Sequence, residues 1–351
     1  MTPRIEACLA SLRSFFSHDP RALEWGIAPA RPTPNAELLR AWVQQKHHAG
    51  MDYMAARLAE RMDPKSFHPW AESAIVFAFP YGHPLGASQD KYRVAAYARS
   101  RDYHEVARGI LRDAEAHLKS QPLLADIRFY GFTDTAPVFE RDLASEAGLG
   151  WRGKNCCTLN RKHGSGFHLG GFFLDLALPA SAPVEDFCGG CTRCIDECPT
   201  EAFIAPGKLD ANKCISYWTI EAKGPVPEGL SDRFGGWIFG CDVCQEVCPW
   251  NHKHIKDAEE RGAPESPARF PDTGPAWVEL LRKGGGFRSR FRKSPLDRAG
   301  RRSLMRNAAI AARNLGDASA AGPLRAALSE ETDPVVRKEI EKALLDLDRA
   351  A

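Results

Sequence analysis

FCGGCTRCIDECPTEAF, residues 187–203, sets four cysteines at C-x2-C-x2-C-x3-C and follows the last with Pro199. Bacterial ferredoxins use this spacing to wrap a 4Fe-4S cube, three thiolates holding one cluster while the fourth reaches across to another. A second run, GCDVCQEVCPWN (residues 240–251), repeats the last three positions as Cys241-x2-Cys244-x3-Cys248-Pro249 and is one cysteine short. Cys214, in LDANKCISYW (residues 209–218), is the candidate to complete it. The arithmetic gives Cys188, Cys191, Cys194 and Cys248 to one cluster and Cys198, Cys214, Cys241 and Cys244 to the other. Two structural zinc sites would also take four thiolates each, but zinc modules favour paired CxxC units over a CxxCxxCxxxCP run. Two cubes in one small domain make a one-electron wire, and a wire needs an acceptor. No GxGxxG follows a strand and no P-loop is present, so the acceptor is another redox cofactor that composition cannot name.

Around this centre the chain reads as globular. Its 351 residues are 44% hydrophobic and 26% charged, with 18 Phe, 8 Trp and 7 Tyr, which excludes a disordered polymer. Apolar runs such as Ala74 to Phe79 are strand-sized, far short of the roughly 18 residues a membrane-spanning helix needs. No signal peptide or twin-arginine signal is legible, which predicts a cytoplasmic protein, and there eleven cysteines point to metal rather than disulfides. The formal net charge is only +2, but Arg282 to Arg313 carries eleven Arg or Lys against one acid, Asp297, a pattern suited to a polyanion.

The expected fold class is α+β. Residues 1–180 alternate helix and strand signals: Asn35 to Met62 as a helix bent at Gly50, Ser73 to Phe79 as a buried strand ended by Pro80, and Asp102 to Lys119 as a helix opened by an Asp102/Glu105 capping box. Ile127 to Thr133 reads as a strand, Pro137 as the first turn of a helix ending near Gly148, and Phe167 to Leu178 as strands around Gly170 and Gly171. Residues 181–255 form a ferredoxin-like domain held by its cofactors, with no regular elements legible. Residues 256–351 begin as a polar, Pro-rich linker over Lys256 to Pro275. They return to helix, where Arg306, Ala309 and Ala312 recur as Arg337, Ile340 and Ala343, a faint HEAT-like repeat too small to bury a core alone.

DTAPVFERDLASEAGLGWRGKN (134–155), CTRCIDECPTEAF (191–203), LDANKCISYWTIE (209–221) and GCDVCQEVCPWN closely resemble the epoxyqueuosine reductase family, and the resemblance extends from about residue 50 to the end. It implies a cobalamin-dependent enzyme that reduces epoxyqueuosine to queuosine at the tRNA wobble position. An N-terminal mixed-sheet domain would hold cobalamin, two 4Fe-4S clusters would feed it single electrons, and HEAT-like repeats would help hold the tRNA. The implied partners are a tRNA anticodon stem-loop carrying epoxyqueuosine and an external low-potential electron donor. The protein would be a monomer with no membrane association.

Through the Asp-Thr-Ala-Pro motif, the resemblance puts the proton donor, also a cobalamin contact, at Asp134. Residue physics alone favours a helix cap there, which would lower the pKa, whereas proton donation calls for a desolvated carboxyl with a raised one. Arg57, Tyr97, Asn155 and Ser216 lie in family-like segments that would border the corrin. Cys156-Cys157-Thr158 departs from the family pattern; small buried residues and a cobalt-ligating thiolate are both open readings. His104, His163 and His168 have no partner at metal-ligand spacing, so hydrogen-bonded structural roles are expected. The rival functions are a corrinoid reductive dehalogenase, a ferredoxin-like electron carrier without catalysis, and a tRNA-binding module with vestigial clusters.

Overall fold

SAIVFAFP, residues 73–80, is apolar from Ala74 onward because both of its faces are covered. It is strand β2 of a four-stranded antiparallel sheet built from β1 (Glu24–Pro29), β2 (Ser73–Pro80), β3 (Phe129–Phe132) and β4 (Phe167–Leu174), in the order β1-β2-β4-β3. Ile75, Phe77, Phe79 and Phe172 face a core shared with helices α1 (Pro3–His18) and α2 (Tyr103–Lys119), through Leu12, Phe16, Ile110 and Ala114. Ala74, Val76, Ala78 and Phe173 face the opposite core, with Leu143 and Ala144 of helix α3 (Glu140–Glu146). Gly170 pairs with Phe77 across β4 and β2, and a Cβ there would stand 2.7 Å from the Phe77 ring. Glycine in β4 therefore makes room for the aromatic core.

In the computed structural model, residues 1–86, 90–261 and 270–350 are described. They fall into one unit of residues 1–81 and 103–191 and another of residues 82–102 and 192–351. Mixed helix and sheet is as expected, and Pro80 lies inside β2 as its last residue. The segment from Asn35 to Met62 is three short helices, Ala36–Gln44, Asp52–Ala56 and Leu58–Met62. Positive φ at Lys46 and Ala49, rather than Gly50, breaks it. The helix expected to begin at Pro137 begins at Glu140, because residues 133–139 are spent on turns.

In the second unit the cluster region does contain short elements. One-turn helices Arg193–Asp196 and Val243–Glu246 carry Cys194 and Cys244 and pack against each other, and a third helix, Ile215–Ile220, starts after Cys214. The expected linker is helical at its start, since Pro249–Arg261 is one helix; residues 262–269 lie outside the described residues. Beyond it, α4 (Gly274–Leu281), α5 (Gly300–Leu315), α6 (Ala321–Glu330) and α7 (Pro334–Ala350) share a core with Tyr92, Val94, Ile238 and Phe239. Ala309, Ala312, Ile340 and Ala343, the apolar positions of the 31-residue recurrence, are all buried in it. Arg306 donates to the carbonyls of Trp218, Ala222 and Gly224, and Arg337 to those of Leu328 and Glu331. Both arginines thus satisfy carbonyls at the C-terminal end of an earlier helix.

Candidate active site and cluster cysteines

Asp134 does not cap a helix. It stands at the apex of a tight turn in which the Thr135 N–H donates to the Thr133 carbonyl at 2.5 Å, and its own φ is +47°. Three-residue turns usually have a negative φ at the central residue, so the positive φ here is the rarer, strained form that L-residues avoid. The N-cap position of α3 is Phe139, with no side-chain cap. The turn's position at the end of β3 presents the Asp134 side chain with 57% of its surface exposed.

Two side chains from the first turn of α2 meet that carboxylate. Tyr103 Oη donates to Asp134 Oδ2 at 2.8 Å, and His104 Nε2 lies 3.2 Å from the same oxygen. The Tyr103 ring is stacked between His104 at 4.1 Å and His168 at 4.3 Å, which fixes its direction. Partial burial pushes the Asp134 carboxyl upward, but hydrogen bonds from His104 and Tyr103, with the charges of His104 and Arg141, hold it below the ordinary aspartate value. The raised pKa expected of a proton donor is therefore not a property of this open site, because water still reaches the carboxylate and its donors favour the ionised form.

Behind the turn lies a second carboxyl that sequence reading missed. Glu140 Oε1 accepts the Asp134 backbone N–H at 2.6 Å. Burial, then the neighbouring Asp134 charge, pushes Glu140 up to about 8, against the Asp134 hydrogen bond and the charges of Arg141 and Arg61. Arg141 donates to the Cys156 carbonyl at 2.9 Å. Cys156 has φ +65° and Cys157 follows it, both half-buried; burial raises the Cys156 thiol above its usual value, against the charges of Arg141 and Arg152.

The remaining expected contacts divide between the units. In the first, Arg57 lies over the Phe67 ring at 4.6 Å and pairs with Glu60 at 3.2 Å, while Asn155 is buried and accepts the Cys157 N–H. In the second, Tyr97 packs near Phe239 at 6.1 Å, and Ser216 lies half-buried in the helix after Cys214. His163 faces Glu24 at 3.8 Å, away from Asp134. Arg61 Nε and Thr158 Oγ1 are buried without a hydrogen-bond partner among the described residues, a polar deficit that fits a ligand fringed with amides.

The cysteine runs have matching backbone turns. Asp196 and Glu197 donate to Thr192 and Arg193 carbonyls, as Glu246 and Val247 do to Asp242 and Val243, and Cys198 and Cys248 each close with a bond to the third residue before. Burial raises the Cys241 thiol well above its usual value, and Cys214, Asp242 and Cys198 add to the rise. Among the described residues, no group of three or more Cys, His, Asp or Glu side chains is placed to hold a metal ion. The Gly-Trp-Arg-Gly-Lys segment serves the first run: Trp151 Nε1 donates to Cys188 Sγ, and Lys154 Nζ donates to the Gly189 and Cys191 carbonyls.

The basic stretch is less bare than its composition. Arg282 pairs with Glu279 and Glu330, Arg298 with Glu221, Arg301 with Glu331, Arg302 with Asp333 and Arg313 with Asp232. Arg288, Arg290 and Arg292 are exposed and pair with no acid among the described residues. A cavity of about 1050 Å³ opens beside them, lined by Lys223, Lys283, Arg288, Arg301, Arg302 and Arg306 among others. No helix among the described residues is long and apolar enough to cross a membrane.

Residues 187–251 match the 4Fe-4S double cluster binding domain, and residues 61–135 match the domain described as "Epoxyqueuosine reductase QueG, DUF1730". The epoxyqueuosine reductase of Pseudomonas aeruginosa is 38% identical over 91% of this chain and 89% of its own length, and that of Escherichia coli is 35% identical over 82% and 76%. A crystal structure of epoxyqueuosine reductase with an epoxyqueuosine-modified tRNA-Tyr stem loop aligns over 98% of both chains, with a TM-score of 0.73 and 26% identity. With the ferredoxin-spaced cysteines and the Asp-Thr-Ala-Pro turn both present, this chain belongs to the epoxyqueuosine reductase family.

Proposed function

We infer that this chain reduces epoxyqueuosine to queuosine in tRNA, with Asp134 as the proton donor. The observation that carries the reading is the Asp134 turn, which holds one carboxyl on an exposed apex between Tyr103 and His104. Opening the epoxide to an alkene expels its oxygen as water and consumes two electrons and two protons. The departing oxygen must be protonated, because an alkoxide leaves poorly. A substrate seated on Asp134 displaces water, and desolvation then lifts the carboxyl's proton affinity toward that of a donor.

Cysteines 188, 191, 194 and 248 would hold one 4Fe-4S cluster and cysteines 198, 214, 241 and 244 the other; the electrostatic influence of Cys198 and Cys214 on Cys241 supports the second set. Cobalamin, when bound, supplies a cobalt that takes single electrons and becomes strongly reducing or nucleophilic. The family resemblance would give Arg57, Asn155, Tyr97 and Ser216 to it as contacts, and Arg61 Nε and Thr158 Oγ1, which have no hydrogen-bond partner among the described residues, would be available to its amide fringe. An external low-potential donor charges the clusters.

The tRNA partner meets the HEAT-like tail through Arg288, Arg290 and Arg292, which pair with no acid among the described residues. The anticodon stem-loop supplies the phosphates. The test is a mass spectrum of an anticodon fragment carrying epoxyqueuosine, before and after incubation with the reduced, cofactor-loaded protein. Loss of one oxygen is the expected result, and an unchanged mass overturns the assignment.

A further inference from the structure

The Asp134 turn is costly to hold, and one contact accounts for its being held. A left-handed backbone at a residue with a Cβ relaxes unless its surroundings fix it. The Thr133 to Thr135 bond closes the turn from within, but it spans Asp134 without touching the peptide N–H of Asp134 itself. That N–H goes to Glu140 Oε1 at 2.6 Å. Glu140 opens α3, a helix whose first turn is anchored on the other side by the buried Asp142, which accepts from Thr33 and Asn35. Arg61 and Arg141 both act electrostatically on Glu140, yet its hydrogen bond turns back to the chain six residues earlier.

We propose that Glu140 is the positioning residue of the Asp134 turn: by accepting the Asp134 N–H it locks the left-handed apex and aims the Asp134 carboxyl at the reacting oxygen. The proposal rests on Asp134 being the proton donor. Without the brace the apex relaxes, the carboxyl leaves Tyr103 Oη and His104 Nε2, and proton delivery loses its geometry. The requirement is for an acceptor oxygen at the Glu140 side-chain position, not for a negative charge. Burial is consistent with this, since it favours the neutral acid, whose carbonyl oxygen still accepts.

The test compares E140Q and E140M in the cofactor-loaded enzyme, alone and combined with D134N. Glutamine offers the same acceptor oxygen, whereas methionine fills similar space with none. E140Q should keep kcat within a few-fold of the parent, and E140M should lose ten- to a hundred-fold in kcat with KM for the tRNA fragment and cobalamin stoichiometry little changed. In the D134N background E140M should cost nothing further, because both changes act through one carboxyl.

E140M as active as the parent overturns the proposal, as does E140Q as impaired as E140M. If D134N alone leaves turnover intact, it is the proton-donor reading that fails. Should E140M not fold, E140Q still decides. Full loss of kcat in a folded E140Q protein overturns the proposal, and E140L, which also lacks the acceptor, then takes the place of E140M: retained kcat in E140L overturns the proposal and its loss beside an active E140Q supports it.

Discussion

Trp151 donates its indole N–H to the sulfur of Cys188, 37 residues further along the chain, at 3.4 Å. The indole is buried and held edge-on against Phe187, so the bond is directional rather than incidental. Hydrogen bonds to a cluster sulfur stabilise the more negative, reduced cluster and raise its potential. Trp151→Phe keeps most of the packing and removes the donor. One of the two clusters should then be harder to reduce by about 40 mV, the one-electron equivalent of about 1 kcal/mol for a lost hydrogen bond. A potentiometric titration followed by electron paramagnetic resonance reads this directly. Identical midpoints in both proteins would remove Trp151 from the cluster's environment.

Asp134→Asn preserves the turn and the contact with Tyr103 but can no longer give up a proton as an acid. Turnover of epoxyqueuosine should fall by about 100-fold or more, in the range general-acid catalysis contributes, with tRNA binding retained. Turnover near the parent's rate, measured on the anticodon fragment, would assign the proton to another group.

Arg288, Arg290 and Arg292 differ from Arg301 and Arg302 although composition treats all five alike. The last two already pair with Glu331 and Asp333 at 2.8 and 3.4 Å. Changing the first three to Gln should weaken tRNA binding and reduce the slope of log K against log salt by about 2 to 3, each lost phosphate contact removing nearly one unit. Changing Arg301 and Arg302 should alter that slope little. A tRNA titration at several salt concentrations separates the two groups, and equal slope changes would sink the distinction.

What was legible in the sequence was whatever chemistry is local in the chain. Cluster ligands must sit at short, fixed spacings because one turn of backbone presents them, so Cys188 to Cys198 could be read directly. The strand that starts at Ser73 was legible because burial on both faces leaves an unbroken apolar run from Ala74 to Phe79. The partners of Asp134 were not, since Tyr103 and His104 lie about 30 residues away and only the packing of α2 on the sheet brings them near. Glu140 is close in sequence, but its inward direction depends on where α3 begins, and Pro137 pointed to an earlier start. The ion pairs of the basic stretch were hidden for the same reason, their acids lying on other segments.

Arg306 is 1% exposed and carries its charge into the second unit to serve the carbonyls of Trp218, Ala222 and Gly224. Burial lowers its pKa to about 10, which still leaves it charged near neutrality. These carbonyls lie at the end of the helix that starts after Cys214, so the guanidinium also steadies that helix. Arg306→Met should destabilise the protein by about 2 to 4 kcal/mol, because buried acceptors lose charged donors. Iron content should fall on reconstitution. A melting temperature equal to the parent's would show that water replaces the guanidinium without cost.

Glu140 also predicts a pH-dependent stability. Its carboxyl titrates near 8 in the fold against 4.5 in a free chain, raised by burial first and by the Asp134 charge second, with the Asp134 N–H, Arg141 and Arg61 opposing. The folded protein therefore holds a proton that the unfolded chain releases above its own pKa. The stability this contributes is full below about pH 4.5, erodes as pH rises toward 8, and is gone above that. Glutamine keeps the acceptor and does not titrate. The difference in unfolding free energy between Glu140→Gln and the parent should thus favour the variant increasingly from about pH 5 to 8, by up to a few kcal/mol, and then level off. Denaturant unfolding at a series of pH values measures it. Parallel stability curves for the two proteins would mean that Glu140 is ionised in the fold across this range, with Arg61 and Arg141 compensating its burial.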